Sequence, residues 1–154
     1  MHSPKILKFD QCAALKGQSI DIEHVQRSAT KQVPGLRDLP YKERLRLLNL
    51  PTLKHRRRRG DLIEAYKMMS GIYDQSSVPS FDSHPCNNPT RGHSLKIRRP
   101  ISKTNLGQNR FTSRVVNDWN SLPEEVIKAE TVNAFKNSLD DFFSNDASVY
   151  DYDL

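Results

Sequence analysis

Three groups of residues in this 154-residue chain are of types that do chemistry: the run Lys54-His-Arg-Arg-Arg-Arg59, the trio His84, Cys86 and His93, and the adjacent Asp140-Asp141. Clustered cations such as Lys54, Arg56, Arg57, Arg58 and Arg59 can contact phosphate oxygens or act as a nuclear localisation signal; a solvated helix face is the competing reading. Histidine and cysteine ligate zinc, but no Cys-x2-Cys or His-x3-His pair occurs even when Cys12 is counted, so no metal is expected. Adjacent aspartates can hold Mg2+, but Asp140-Asp141 follow Ser138-Leu139 within a helical stripe and read as solvent-facing helix residues. No nucleophile sits in an elbow or a glycine-framed turn, so no catalytic residue is assigned and the chain is not expected to be an enzyme. Arg59-Gly-Asp61 falls inside a predicted helix and is not read as an adhesion motif.

A second basic group comprises Arg91, Lys96, Arg98, Arg99, Lys103, Arg110 and Arg114. With Phe111 beside it, the group could track a nucleic-acid backbone, although Phe111 itself belongs on an apolar stripe and reads as core. Charge is segregated along the chain. Residues 41–67 hold nine Lys/Arg against three acids, and residues 83–117 hold seven Lys/Arg and no acid. From Asp118 onward nine acids face only Lys128 and Lys136. A basic middle followed by an acidic end implies an interaction surface or self-association. The net charge of +6 suits a polyanionic partner.

Apolar residues make up only 36% of the chain, so a single modest core is expected. No segment approaches the ~20 apolar residues of a membrane span, and no secretory h-region precedes the two cysteines. An intracellular chain is expected, with nuclear entry through residues 54–59.

The elements that must position these residues are mainly helical. Residues 1–20 read as a disordered leader. A helix capped by Asp21 places Ile22, Val25, Ala29 and Val33 on one face and stops at Pro34-Gly35. A short helix follows with Tyr41, Leu45 and Leu48 on one side, then a longer one from Leu53 to about Ser70, capped by Thr52 and ended by Gly71. Leu62, Ile63, Tyr66 and Met69 form its buried side. These elements make residues 21–71 one helical segment, and 72–92 a loop or linker. Residues 93–143 are expected to open with a short strand or hairpin near 93–99, because Ser94-Leu-Lys-Ile-Arg98 alternates polar and apolar. Phe111, Val115 and Trp119 form a helical stripe with Val116 beside it. Ser121-Leu-Pro-Glu124 matches a capping box, and Thr131 caps a last helix with Val132, Phe135, Leu139 and Phe142 on one face. Residues 144–154 are an acidic, frayed tail.

Over residues 21–143 the chain resembles the C-terminal region of reverse transcriptases from non-LTR (LINE-type, jockey or CR1-like) retrotransposons. The pieces that carry the likeness are Glu23-His-Val-Gln-Arg-Ser-Ala-Thr-Lys31, Val33-Pro-Gly-Leu36, Leu39-Pro-Tyr-Lys-Glu-Arg-Leu45, Leu50-Pro-Thr-Leu53, Arg59-Gly-Asp-Leu-Ile-Glu-Ala-Tyr-Lys67, Thr90-Arg-Gly-His93 and Arg114-Val-Val-Asn-Asp-Trp-Asn-Ser-Leu-Pro123. Their order and spacing carry the match; no single piece does. The resemblance implies the part of an RNA-directed DNA polymerase that follows the palm, roughly the thumb and tail. The palm carboxylates that hold two Mg2+ ions in full-length relatives have no counterpart here, and no cofactor is carried over. Related tails usually show an aromatic at His55 and an aliphatic at Arg58, both on the buried side of the long helix. An unpaired buried arginine would cost several kcal/mol, so that half of the helix must be exposed or Arg58 must snorkel. The expected retained activity is non-specific RNA or DNA binding. The alternative is a non-catalytic structural or self-association remnant in which the basic middle pairs with the acidic tail.

Overall fold

A computed structural model describes the chain over residues 16–74, 76–82, 93–144 and 146–151, leaving aside the side chains of 16–21, 105, 106 and 147. The described chain is mainly helical: α1 (Lys16–Lys31), α2 (Tyr41–Leu47), α3 (Leu53–Met69), α4 (Asn105–Gln108), α5 (Phe111–Ser121), α6 (Glu124–Ile127) and α7 (Val132–Phe143), then a 3-10 turn at Ala147–Val149. The central element is α3. Its N-terminus is capped by Thr52, whose Oγ1 accepts from the His55 amide at 3.2 Å. At its other end Gly71 takes a left-handed φ of 70°, and the amides of Gly71 and Ile72 donate back to the carbonyls of Met68 and Lys67. Both ends therefore satisfy groups a helix leaves open, as Thr52 and Gly71 lead one to expect.

The apolar side of α3 packs on α5 and α7. Leu62, Tyr66, Val115, Trp119, Phe135 and Leu139 form the centre of one buried cluster. Tyr66 and Phe135 stack with ring centroids 4.2 Å apart, and the Tyr66 hydroxyl donates to the Ala129 carbonyl at 2.5 Å. Along α7, Phe135, Asp140 and Phe143 meet Tyr66, Arg59 and His55 in turn, so the two helices run antiparallel. The stripe of α5 is buried as expected. On α7, Phe143 is buried and Phe142 is 41% exposed, so the inward aromatic is one residue later than expected. Residues 135, 139 and 143 keep a strict i, i+4 spacing and place Phe143 against His55.

Four further expectations change. Residues 16–20 belong to α1, which extends a turn upstream of Asp21 because no proline intervenes; residues 1–15 lie outside the described chain. On α1, Ile22, Val25 and Ala29 face solvent, and the polar Glu23 and Thr30 are buried instead. The polar face wins because it has partners. Tyr41 Oη donates to Glu23 Oε1 at 2.6 Å, Arg44 Nε donates to Thr30 Oγ1 at 3.1 Å, and Arg44 Nη1 donates to the Leu39 carbonyl at 2.6 Å. Buried polar groups persist where they are paired in this way, and burial with the Glu23 bond pushes the Tyr41 phenol up. The capping box does not form, since Ser121 Oγ donates to the Asp118 carbonyl and Pro123 itself precedes α6. Residues 146–151 are docked, with the Thr52 amide donating to the Val149 carbonyl at 2.8 Å and Lys42 paired with Asp151.

No strand forms near 93–99 among the described residues; Ile97 makes one isolated bridge. Leu95 is 50% exposed and Ile97 1%, so the alternation does not define a half-buried strand. The carboxamide of Asn120 takes the place of a neighbouring backbone. Its Oδ1 accepts from the Ile97 amide at 3.0 Å and its Nδ2 donates to the Ile97 carbonyl at 2.9 Å. Trp119 Nε1 secures the same segment by donating to the Leu95 carbonyl at 2.8 Å. Asn120→Ala would leave both Ile97 groups unpaired. It should cost about 1–3 kcal/mol in urea unfolding and remove the hydrogen-exchange protection of the Ile97 amide. Unchanged protection would mean that the segment is held by packing alone.

Candidate nucleic-acid interface

The long helix α3 carries Lys54, His55 and four arginines over its first two turns and no acid in its first. A helix N-terminus is already partly positive, so the run stands at the end least suited to it. Carboxylates from other elements offset the charge. Glu23 Oε2, from α1, accepts from the Leu53 amide at 3.0 Å. Arg58 joins two acids: its Nε donates to Asp118 Oδ1 on α5 and its Nη1 to Asp146 Oδ2 beyond α7, both at 2.9 Å. The guanidinium carbon also lies 4.8 Å from the Phe143 ring centroid. Arg59 forks onto Asp140 of α7 at 2.5 and 2.7 Å. At Asp61 the sign reverses, and this α3 carboxylate receives a two-bond fork from Arg114 of α5 at 2.7 and 2.8 Å. Two-bond Arg–carboxylate pairs and shared cations are the surface ion pairs that contribute most.

The expected binding residues therefore divide. Arg58, Arg59 and Arg114 are partly buried and held by carboxylates of this chain. Arg58 resolves the difficulty raised by its position on the inner side of α3: it is neither unpaired nor merely extended into solvent, because α5 and the tail supply two counter-charges. Lys54 and Arg56 are exposed on α3, whereas Arg57 and Lys96 are half-buried. Lys54, Arg57 and Lys96 also make interactions of their own. Arg98, Arg99, Lys103 and Arg110 are exposed, and none of the four forms an ion pair among the described residues. Arg91, Cys12, His84 and Cys86 lie outside them.

His55 fills the position where an aromatic is expected. It is buried, stands edge-on to Phe143 with centroids 4.9 Å apart, and leaves Nδ1 without a hydrogen-bond partner. Burial holds its imidazole below the ordinary 6.5, although Asp146 pulls the other way. Burial pushes the Asp146 carboxyl up, but hydrogen bonds from Ser148 and the Arg58 charge outweigh it and hold that carboxyl below 3.8. His93 is also buried, with its Nε2 2.9 Å from the Trp119 carbonyl oxygen, in a structural position against the Trp119 ring. Among the described residues no group of three His, Cys, Asp or Glu side chains is arranged to hold a metal ion. None of the described helices is long and apolar enough to cross a membrane.

Sequence reasoning missed the partners: Asp61, Asp118, Asp140, Asp146 and Glu23. For Asp118, Asp140 and Asp146 the segregation of acids after residue 117 is the only signal, and it does not say which base each one meets; Glu23 and Asp61 lie outside that stretch and carry none. No protein-family model matches this chain, and no curated protein or solved structure matches it either.

Arg58→Met keeps an apolar stem beside Phe143 but leaves Asp118 and Asp146 without their shared cation. It should lower stability by about 1–2 kcal/mol in urea unfolding, and Arg56→Met by less than about 0.5 kcal/mol. Equal effects would mean that Arg58 and Arg56 are not divided into a paired and an exposed cation. For His55, the unfolded chain takes up a proton that the folded chain refuses. That part of the stability is complete above about pH 6.5 and declines as pH falls below it. His55→Phe should flatten the dependence between pH 7 and 5. It should leave intact the further loss below about pH 3.8, where Asp146 protonates. A variant with an unaltered slope between pH 7 and 5 would show that another group is responsible.

Proposed function

We propose that this chain is a non-catalytic nucleic-acid-binding part, of the post-palm kind, of a non-LTR retrotransposon reverse transcriptase, and that it binds RNA or DNA through backbone phosphates without sequence preference. The supporting observation is the exposed group Arg98, Arg99, Lys103 and Arg110, in a stretch of sequence with no acid from residue 83 to 117, with Arg56 as a further exposed cation on α3. Phosphate contacts of this kind need only mobile or projecting cations that are not already neutralised, and they release counterions on binding. Arg58, Arg59 and Arg114 serve the fold in this reading, and the palm chemistry, with its Mg2+, belongs to other parts of such polymerases. Entry to the nucleus would use the basic run at residues 54–59.

A second reading is favoured by the Arg58–Asp118–Asp146 and Arg59–Asp140 contacts: the basic and acidic parts of the chain serve only each other, as a structural or self-associating remnant. Salt-dependent binding separates the two. The first reading predicts retention of labelled RNA or duplex DNA on filters at low salt, with log affinity falling linearly with log salt. Replacing Arg98, Arg99, Lys103 and Arg110 together by Ala should flatten that slope by about 3 and leave the unfolding midpoint unchanged. The second reading predicts no retention, with any sedimenting oligomer dissolving in salt.

A further inference from the structure

Residues 98–104 read Arg-Arg-Pro-Ile-Ser-Lys-Thr and form an irregular segment held firmly at both ends. On one side, the Asn120 carboxamide clamps the buried Ile97. On the other, Ser113 Oγ donates to the Gly107 carbonyl at 2.8 Å, and the Gly107 amide donates to Thr104 Oγ1 at 3.1 Å. Ser102 turns inward so closely that a Cβ on Gly107 would lie 1.9 Å from its Oγ and 2.9 Å from its Cβ, so any larger residue there would have to displace Ser102. With Ser102 folded in, Ile101 is left outside at 88% exposure, the most exposed of the large apolar side chains among the described residues. Arg98 and Arg99 precede it and Lys103 follows, all exposed.

We infer that Ile101, at the tip of this anchored basic loop, is a wedge for the groove of a nucleic-acid duplex. It would enter partway between two base pairs at a deformable step while Arg98, Arg99 and Lys103 hold the phosphates on either side. This rests on the nucleic-acid reading above and specifies the partner as a duplex rather than a single strand. An aliphatic side chain between cations suits a wedge, whereas a single-strand platform needs aromatic rings, and residues 98–104 contain none. The complementary charge is that of a polyanion, since no acid occurs between residues 83 and 117. A lone aliphatic tip offers a bilayer little apolar area, so an anionic membrane is the less suited partner. Anchoring matters because a loose loop would lose on ordering what the inserted side chain gains.

The test uses the full chain with end-labelled duplex DNA carrying a central TA step, read by energy transfer between its ends, beside filter binding. The wild-type chain should shorten the end-to-end distance and bind the duplex more tightly than a single strand of equal length. Ile101→Ala should abolish the shortening and weaken duplex binding about tenfold while leaving single-strand binding and the salt slope unchanged. Ile101→Leu should restore both. Binding without bending, or an Ile101→Ala chain that bends as well as wild type, overturns the wedge and leaves the nucleic-acid reading standing. Failure of the wild-type chain to bind any nucleic acid at low salt overturns both. Tighter binding to phosphatidylserine vesicles than to duplex, lost in Ile101→Ala, overturns the wedge in favour of a membrane surface.

Discussion

A helix that carries six consecutive basic side chains from its second residue onward needs negative charge brought to it from elsewhere. Within α3 the repulsion among neighbouring arginines and the positive end of the helix act in the same direction, and no acid of its first turn opposes them. The fold answers with Glu23 from α1, Asp118 from α5, Asp140 from α7 and Asp146 from the segment after it. Arg58 matters most in this arrangement because one side chain ties three elements together and lies over Phe143 at the edge of the core. The order of charge along the sequence, basic in the middle and acidic at the end, thus becomes contact between α3 and the C-terminal third.

That arrangement also sets what remains for a partner. An arginine already forked onto a carboxylate offers a phosphate little, since binding would first have to break the existing pair. Among the described residues, Arg98, Arg99, Lys103 and Arg110 form no ion pair and lie together on the connecting stretch between Ile97 and α5, which the core holds at its ends through Asn120 and Ser113. In this proposal a rigid helical scaffold displays a basic segment, and the helix with the densest positive charge acts as scaffold rather than as contact surface.

Much of the helical frame was legible. The caps at Thr52 and Thr131, the stop at Gly71 and the stripe Phe111, Val115, Trp119 are local patterns, and local patterns survive folding when the core agrees with them. The errors arose where a distant side chain outcompeted a local rule. The apolar face of α1 gave way to Glu23 and Thr30 because Tyr41, Arg44 and the α3 amide offered them partners. The strand at 93–99 gave way because Asn120 satisfied Ile97 from a helix. At the candidate site, the basic residues were legible as a set. Their division into paired and exposed members was not, since composition shows how many acids follow residue 117 but not which arginine each one meets.

The most direct measurement follows the arginine side-chain Nε–H signals by NMR as short duplex DNA is added to the full chain at low salt. The prediction is that Arg98, Arg99 and Arg110 shift and broaden in proportion to bound duplex, while Arg58, Arg59 and Arg114 keep the positions set by Asp118, Asp140, Asp146 and Asp61. Shifts concentrated on Arg58 and Arg59, with the 98–110 signals unmoved, would contradict this and make the α3 run the binding surface.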